Sequence, residues 1–218
     1  MLYLGFVLTA MGTDYYPRLS GVAHDRAATN AMVNEQTEVV LLLSGPIILG
    51  MLTFVPQVIG LLYTSAFHDS IAILRWQVMG DLFKVASWPL AYILLAQGRS
   101  WTYFCTELSW NVIYVLLVTI GLKQWGLEIM GIAFFISYIV YLILLWLIVS
   151  RSFHFNWDKN NVKLLSMLLV CTVLVSIVRL YHGIIPVAIG IFLTSATSWY
   201  SLRRMAYSLG SSWWKRMY

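Results

Sequence analysis

Apolar runs separated by short polar segments follow one another along most of this chain. At a rise of about 1.5 Å per residue, a run of about 20 residues crosses the hydrocarbon core of a bilayer as a helix. We predict spanning helices at residues 39–63, 71–97, 102–122, 129–149, 164–178 and 184–200. A shorter run at 1–16 predicts part of another helix, which Pro17 ends because the residue before proline avoids the helical region. The pattern predicts an all-α, polytopic membrane helical bundle of about six full transmembrane helices plus a partial N-terminal one.

Composition agrees with this prediction. Of the 218 residues, 60% are hydrophobic and only 11% are charged, whereas soluble domains carry about 25% charged residues. Most Lys and Arg residues fall in segments 20–38, 98–102, 151–163 and the tail from Ser201, so these segments are predicted to be cytoplasmic, with the C-terminus inside. Segment 20–38 is predicted to be a solvent-side loop or a short helix. The basic residues are scattered over loops, which argues against nucleic acid as a partner.

The predicted helix 71–97 carries charged residues near the bilayer midplane. Each charge there costs about 2.5–3.5 kcal/mol on insertion scales, so such residues normally face protein or a wet cavity. At about 100° per residue, one polar and aromatic side of this helix, the α3 stripe, spans about 80°. The α3 stripe consists of Gln77, Asp81, Lys84, Trp88 and Tyr92. Asp81 and Lys84 form either a structural ion pair or part of a cavity lining, and the two aromatic rings favour the cavity.

A second polar and aromatic face is predicted on the next helix. Its members fall within about 100° of one another and are Tyr103, Glu107, Trp110, Asn111 and Tyr114. We expect either a second wall of the same cavity or, for Glu107, an interfacial carboxylate that reaches water. Arg75 is predicted to be an interfacial arginine or an outer gate for a phosphate-bearing substrate. Arg99, with Gln97, is predicted to form and anchor the cytoplasmic end of its helix.

No enzymatic motif is present in the sequence. The four histidines are predicted to lie in loops, and His68 beside Asp69 is the nearest approach to a catalytic pair. There is no His-Glu-x-x-His, Gly-x-Ser-x-Gly or Walker sequence. Cys105 and Cys171 fall in apolar runs without metal-ligand spacing. We therefore expect no enzyme, no cofactor and no metal.

Several segments resemble polysaccharide flippases of the O-antigen type, within the multidrug/oligosaccharidyl-lipid/polysaccharide exporter superfamily. They are GTDYYPRLSGVAHD at 12–25, PIILGMLTFVPQVIGLLYTSAF at 46–67, AILRWQ at 72–77 and LLAQGRSWTYFCTELSWN at 94–111. The resemblance extends from residue 12 to about 150. It implies a two-lobed transporter of twelve to fourteen helices, of which this chain would be a C-terminal part. Residues 1–150 would form an incomplete second lobe, and 151–218 two appended helices with a cytoplasmic tail.

The resemblance also implies a function in the bacterial inner membrane. The substrate would be a lipid-linked oligosaccharide, undecaprenyl pyrophosphate bearing an O-antigen repeat. Lys84, with Arg75 or Arg99, would bind the pyrophosphate, and Asp81 and Glu107 would balance charge or carry a coupling ion. Sugars would meet aromatic residues: Trp88, Tyr92, Trp110 and Tyr114. Membrane lipid, a polysaccharide polymerase and a chain-length regulator are the implied partners. Two alternatives stay open: a small-molecule or drug exporter of the same superfamily, and a non-transporting membrane component of polysaccharide assembly.

Overall fold

In a computed structural model, the described part of the chain folds into a bundle of seven α-helices. The structure describes residues 2–62, 70–178 and 183–217, with side chains at 4–61, 70–178 and 183–207. The helices are α1 (Leu2–Gly21), α2 (Arg26–Leu62), α3 (Ser70–Ala96), α4 (Ser100–Trp125), α5 (Ile129–Phe153), α6 (Lys159–Val178) and α7 (Ile184–Met217). A 3-10 turn at Gly126–Glu128 joins α4 to α5. The described residues contain no strand.

Among the described residues, five stretches are long and apolar enough to cross a membrane: Arg26–Leu61, Ser70–Ala96, Ser100–Phe153, Lys159–Val178 and Ile184–Tyr207. The third stretch contains both α4 and α5, which pack against each other across the turn at Gly126–Glu128. The prediction of an all-α, multi-pass membrane bundle is therefore confirmed. Helices are the expected solution, because a helix satisfies its own backbone hydrogen bonds where water is absent.

Helix α3 occupies the centre of the bundle. In the 18-residue apolar segment of α3, 67% is buried within the protein, whereas the corresponding share is 28% in α6 and 22% in α7. Its most extensive contacts are with α5 on one side and α2 on the other. Helix α4 packs mainly on α5 and also touches α3, and α6 and α7 pack mainly on α2. Helices α2, α3 and α5 therefore form the middle of the bundle, with α6 and α7 beside α2 and α4 beside α5.

Small residues let α3 and α5 approach closely. A Cβ atom added at Gly131 of α5 would lie 2.5 Å from the carbonyl oxygen of Ile73 in α3. A Cβ atom at Gly80 of α3 would lie 2.7 Å from the Phe134 ring. Such close backbone approach is a common source of packing energy between membrane helices, since lipid offers no hydrophobic drive toward association.

The prediction that Pro17 ends the first helix is wrong, because α1 continues through it to Gly21. Tyr15 and Leu19 lie one turn apart on either side of Pro17 and are both buried, at 1% and 0% exposure. Proline removes one backbone hydrogen bond from the helix. Burial of two large side chains against α3 and its neighbours offsets that loss.

Two further polar segments are more helical than the pattern predicted. Helix α2 already begins at Arg26, and the Asp25 carboxylate caps it by accepting from the amides of Ala27 and Ala28. Within this first part, Asn34 is buried and its amide oxygen accepts hydrogen bonds from the Asp158 amide and the Asn161 side chain. The polar residues of segment 20–38 therefore hold α2 to the start of α6 instead of forming a loop.

The C-terminal tail also continues as helix, since α7 extends to Met217. Arg204 pairs with Glu38 of α2 at 2.6 Å, which fixes this part of α7 alongside α2. The connection between the predicted spans 39–63 and 71–97, with His68 and Asp69, falls almost wholly outside the described residues, and Arg179 and His182 also lie outside them. The aromatic and basic residues at the end of the tail are typical of an interfacial anchor, and their side chains, those of Trp213, Trp214, Lys215, Arg216 and Tyr218, lie outside the described residues too.

Candidate functional site

The α3 stripe lies inside the bundle. Asp81 is completely buried, at 0% exposure, whereas Gln77, Lys84, Trp88 and Tyr92 are half-buried. The residues of the stripe contact two different helices, α1 and α5. Its half nearer the C-terminus of α3 contacts α1, and Lys84 in its middle contacts α5.

An aromatic cluster joins α3 to α1. The ring centres of Trp88 and Tyr92 are 4.8 Å apart, and the centre of the Tyr15 ring is 5.6 Å from each of them. The Tyr15 hydroxyl donates a hydrogen bond of 3.2 Å to the carbonyl oxygen of Pro89. Gly12 makes room for this cluster, because a Cβ atom there would lie 2.7 Å from the Tyr92 hydroxyl.

A cavity of about 480 Å³ opens between α1 and α3 beside this cluster. Its aromatic wall consists of Tyr16, Trp88 and Tyr92. The opposite wall is made of smaller residues of α1, namely Gly5, Leu8, Thr9, Gly12 and Thr13. The volume lies within the range of ligand pockets, about 300–1,000 Å³. The arrangement offers ring faces with hydroxyl groups nearby, which suits an amphipathic or sugar-bearing ligand.

On the other side of α3, Lys84 lies against α5. Its ammonium nitrogen is 5.7 Å from the centre of the Tyr138 ring, within the range of a cation–π interaction. Tyr138 is itself stacked on Trp110 of α4, with ring centres 4.9 Å apart. Tyr138 therefore connects the α3 stripe to the polar face predicted on α4.

The Glu107 carboxylate is held in place by α5 and by its own helix. Its Oε1 atom accepts a hydrogen bond of 2.5 Å from the Tyr141 hydroxyl, and its Oε2 atom accepts one of 3.0 Å from the Trp110 indole. Tyr141 is buried, at 3% exposure. Residues of both predicted polar faces pack against one core cluster that contains Tyr138 and Tyr141, so α5 connects the two faces.

Sequence reasoning missed the aromatic residues of α5 that make this connection. Phe134, Tyr138 and Tyr141 recur at spacings of four and three residues, which places them on one helix face. The signal was present, but this run has no charged residue between Ile129 and Ser150 and was interpreted only as an apolar span. Tyr15 and Gly12 of α1 were missed as site residues in the same way.

Among the other predicted residues of these helices, Tyr103 packs against the same cluster, whereas Asn111, Tyr114 and Arg75 lie apart from it. Asn111 is exposed and donates to the carbonyl oxygen of Glu107 on its own helix, and Tyr114 is half-buried one turn further along α4. Arg75 lines a separate cavity of about 310 Å³ together with Glu128, on the side of α3 that faces α6. The structure does not bring these three residues to Lys84.

Gln97 and Arg99 lie where α3 ends and α4 begins. The Gln97 amide donates to the carbonyl oxygen of Ala23 at 2.5 Å, which ties this turn to the end of α1. The Arg99 guanidinium stacks over the Phe153 ring at 5.0 Å. Both residues line a pocket of about 310 Å³ with His24 and Arg26, which sequence reasoning did not select.

Comparison with family models, with curated proteins and with solved structures finds no match to this chain. A functional assignment therefore depends on the geometry of the site and on the resemblance of the quoted segments. Among the described residues, no group of three or more His, Cys, Asp and Glu side chains is placed to hold a metal ion.

Proposed function

We propose that this chain is part of a bacterial inner-membrane transporter that flips a lipid-linked oligosaccharide, an undecaprenyl-pyrophosphate O-antigen repeat. The observation that carries the proposal is the α3 stripe. A lysine and a fully buried aspartate occupy a membrane-spanning helix, beside aromatic rings that border a cavity of ligand size. Charged residues in such a position are costly and usually mark a substrate or ion pathway.

Lys84 is the residue that we assign to the pyrophosphate. Its ammonium group combines a charge with a flexible stem, so it can leave the Tyr138 ring and pair with a passing phosphate. Until then the cation–π contact holds the ammonium group near the bilayer midplane. Breaking this contact costs about 0.5–2 kcal/mol. Charge-assisted hydrogen bonds to the phosphate offset that cost.

The aromatic cavity is the part that we assign to the sugars. Trp88 and Tyr92 expose ring faces toward α1, and Tyr16 completes the wall. Sugar rings have apolar faces that pack on aromatic rings, and their hydroxyls need polar partners of the kind that Thr9 and Thr13 provide. Rocking of this helix group against a second lobe would expose the cavity first to one side and then to the other.

Glu107 is better suited to positioning than to carrying a coupling ion. Both of its carboxylate oxygens accept hydrogen bonds, from Tyr141 and Trp110, and Trp110 in turn stacks on Tyr138. Glu107 thereby fixes the ring over which Lys84 lies. A coupling cation would have to displace at least one of these donors.

The test uses the complete gene in a strain that lacks its own O-antigen flippase. Lys84→Ala should abolish surface O-antigen at a normal protein level, and Lys84→Arg should retain most of it because the charge is kept. Lys123→Ala is the matched control, since Lys123 is exposed in the last turn of α4. The measurement is immunoblotting of surface O-antigen, together with the amount of protein in the membrane. Full surface polysaccharide in the Lys84→Ala strain would refute the assigned role.

The same strains distinguish the two alternatives. A drug exporter should restore surface O-antigen in none of the strains and should alter the efflux of a cationic dye. A component of polysaccharide assembly should also fail to restore it, and in a strain that keeps its own flippase should change the length distribution of the O-antigen without trapping the lipid-linked repeat inside the cell. A flippase defect instead leaves that repeat in the cytoplasmic leaflet.

A further inference from the structure

A basic pocket lies at the end of the bundle that the distribution of Lys and Arg predicts to be cytoplasmic. The turn after α1, the first residues of α2, the turn between α3 and α4, and the end of α5 surround a cavity of about 310 Å³. Its lining includes Arg26, Arg99 and His24, and none of its lining residues has a carboxylate. The pocket is therefore a local concentration of positive charge and hydrogen-bond donors.

The side chains of Arg26 and Arg99 are exposed where they line the pocket. The Arg99 guanidinium lies over the Phe153 ring, 5.0 Å from its centre, in a cation–π contact. Within the part of the chain that the structure describes, neither Arg26 nor Arg99 makes an ion pair. Asp25, the nearest carboxylate in sequence, accepts hydrogen bonds from the amides of Ala27 and Ala28 as the cap of α2.

Two helices begin at the pocket. Arg26 is the first residue of α2 and Arg99 directly precedes α4, so the positive ends of both helix dipoles add to the charge of the arginines. The Asp25 carboxylate offsets this charge at the start of α2, whereas the start of α4 has no side-chain cap.

The pocket lies at the level expected for lipid headgroups. Trp101, in the first turn of α4, is 75% exposed and stacks on Phe104 at 5.5 Å. Exposed Trp residues at the ends of membrane helices sit at the interface between hydrocarbon and water. Arg99 is two residues away, so its pocket opens at the same depth.

We propose that this pocket binds a phosphate group, with Arg99 and Arg26 as the anionic contacts and His24 as a further donor. The planar guanidinium of Arg99 can donate two parallel hydrogen bonds to phosphate oxygens. The phosphate can come from a lipid headgroup of the facing leaflet or from free phosphate, and the chemistry is shared. The resemblance to flippases also implies a phosphate role for Arg99, but the pocket involves neither Lys84 nor the aromatic cavity, so it is tested separately from the proposed flippase activity.

The experiment measures thermal unfolding of the purified full chain in a neutral detergent with three added probes. They are short-chain phosphatidylglycerol, diacylglycerol without phosphate, and inorganic phosphate. A ligand that binds only the folded state raises Tm in a concentration-dependent way, which yields an apparent affinity. We expect saturable stabilisation by phosphatidylglycerol and none by diacylglycerol. Stabilisation by inorganic phosphate as well would identify the phosphate group alone as sufficient, and its absence would identify the lipid as the ligand.

The decisive comparison is between two double variants that remove the same charge. Arg26→Gln/Arg99→Gln should weaken phosphatidylglycerol binding at least about tenfold, since hydrogen bonds to charged groups are lost. Lys159→Gln/Arg203→Gln removes two exposed cations on the same predicted side but outside the pocket, and should change the affinity by less than about threefold. Equal losses in the two variants would show general attraction to the surface and overturn the proposal.

A single conservative variant covers the case in which the first double variant does not fold. Arg99→Lys keeps the charge but loses the planar fork, and we expect an intermediate, several-fold loss of affinity. The unfolding curve without added probe serves as the folding control for each variant. The proposal would also be overturned if phosphatidylglycerol bound both Arg99→Lys and a folded Arg26→Gln/Arg99→Gln as tightly as it binds the unaltered chain. Failure of every probe to stabilise the unaltered chain would overturn it too.

Discussion

Gly131→Ala should destabilise the bundle, because Gly131 is where α5 comes closest to the backbone of α3. The added Cβ would lie 2.5 Å from the Ile73 carbonyl oxygen, 2.8 Å from Trp76 Cβ and 3.0 Å from Ile73 Cα. Two of these three atoms are backbone, so no side-chain rotation relieves the clash.

The size of the effect follows from how far the helices must part. Ordinary van der Waals contact begins at 3.4 Å, so the shortest distance has to lengthen by roughly 0.9 Å. A gap of about 0.5–1 Å forfeits a quarter to a half of the dispersion energy of the atoms on either side. Overpacking of this kind costs about 1–3 kcal/mol, and we expect the upper half of that range. The shift would also move Tyr138 relative to Lys84.

The assay is thermal unfolding in detergent, with Gly60→Ala as the matched control. Gly60 lies within α2 and has no atom within 4 Å of an added Cβ, so the same substitution there should be neutral or stabilising. Gly131→Ala should lower Tm relative to the unaltered chain, and Gly60→Ala should not. Equal Tm values for the two variants would show that α3 and α5 are not packed as described.

Two further predictions concern the polar contacts between helices. Tyr141→Phe and Glu107→Gln should each destabilise the chain by about 1.5–3 kcal/mol, because each weakens a hydrogen bond to a charged group. Their double-variant cycle in chemical unfolding should give a coupling energy of about 0.5–3 kcal/mol, and strict additivity would contradict the contact. Asn34→Ala should cost about 1–3 kcal/mol by leaving Asn161 and the Asp158 amide without their shared acceptor, measured as a lower unfolding midpoint. Asn30→Ala, which removes only the contact within α2, should cost less.

The sequence by itself determined the helical class and the position of most spans. The predicted helix 71–97 coincides with α3 at Ser70–Ala96, because a long apolar run must leave water and only a helix satisfies its backbone there. The α3 stripe was also predictable, since residues at helical spacing share a face whatever the rest of the fold does. Its isolated charges in an apolar run then marked it as the candidate site.

Tertiary structure alone decided which helices these faces meet. Lipid and a neighbouring helix are equally apolar, so the apolar pattern does not tell a packed face from a lipid-facing one. For that reason the sequence could offer a shared cavity or an interfacial carboxylate for Glu107, but not the contacts through Tyr138 and Trp110 that connect Lys84 to the α4 face. The continuation of α1 through Pro17 was not predictable for a related reason. It depends on the burial of Tyr15 and Leu19 against neighbouring helices, which local sequence does not specify.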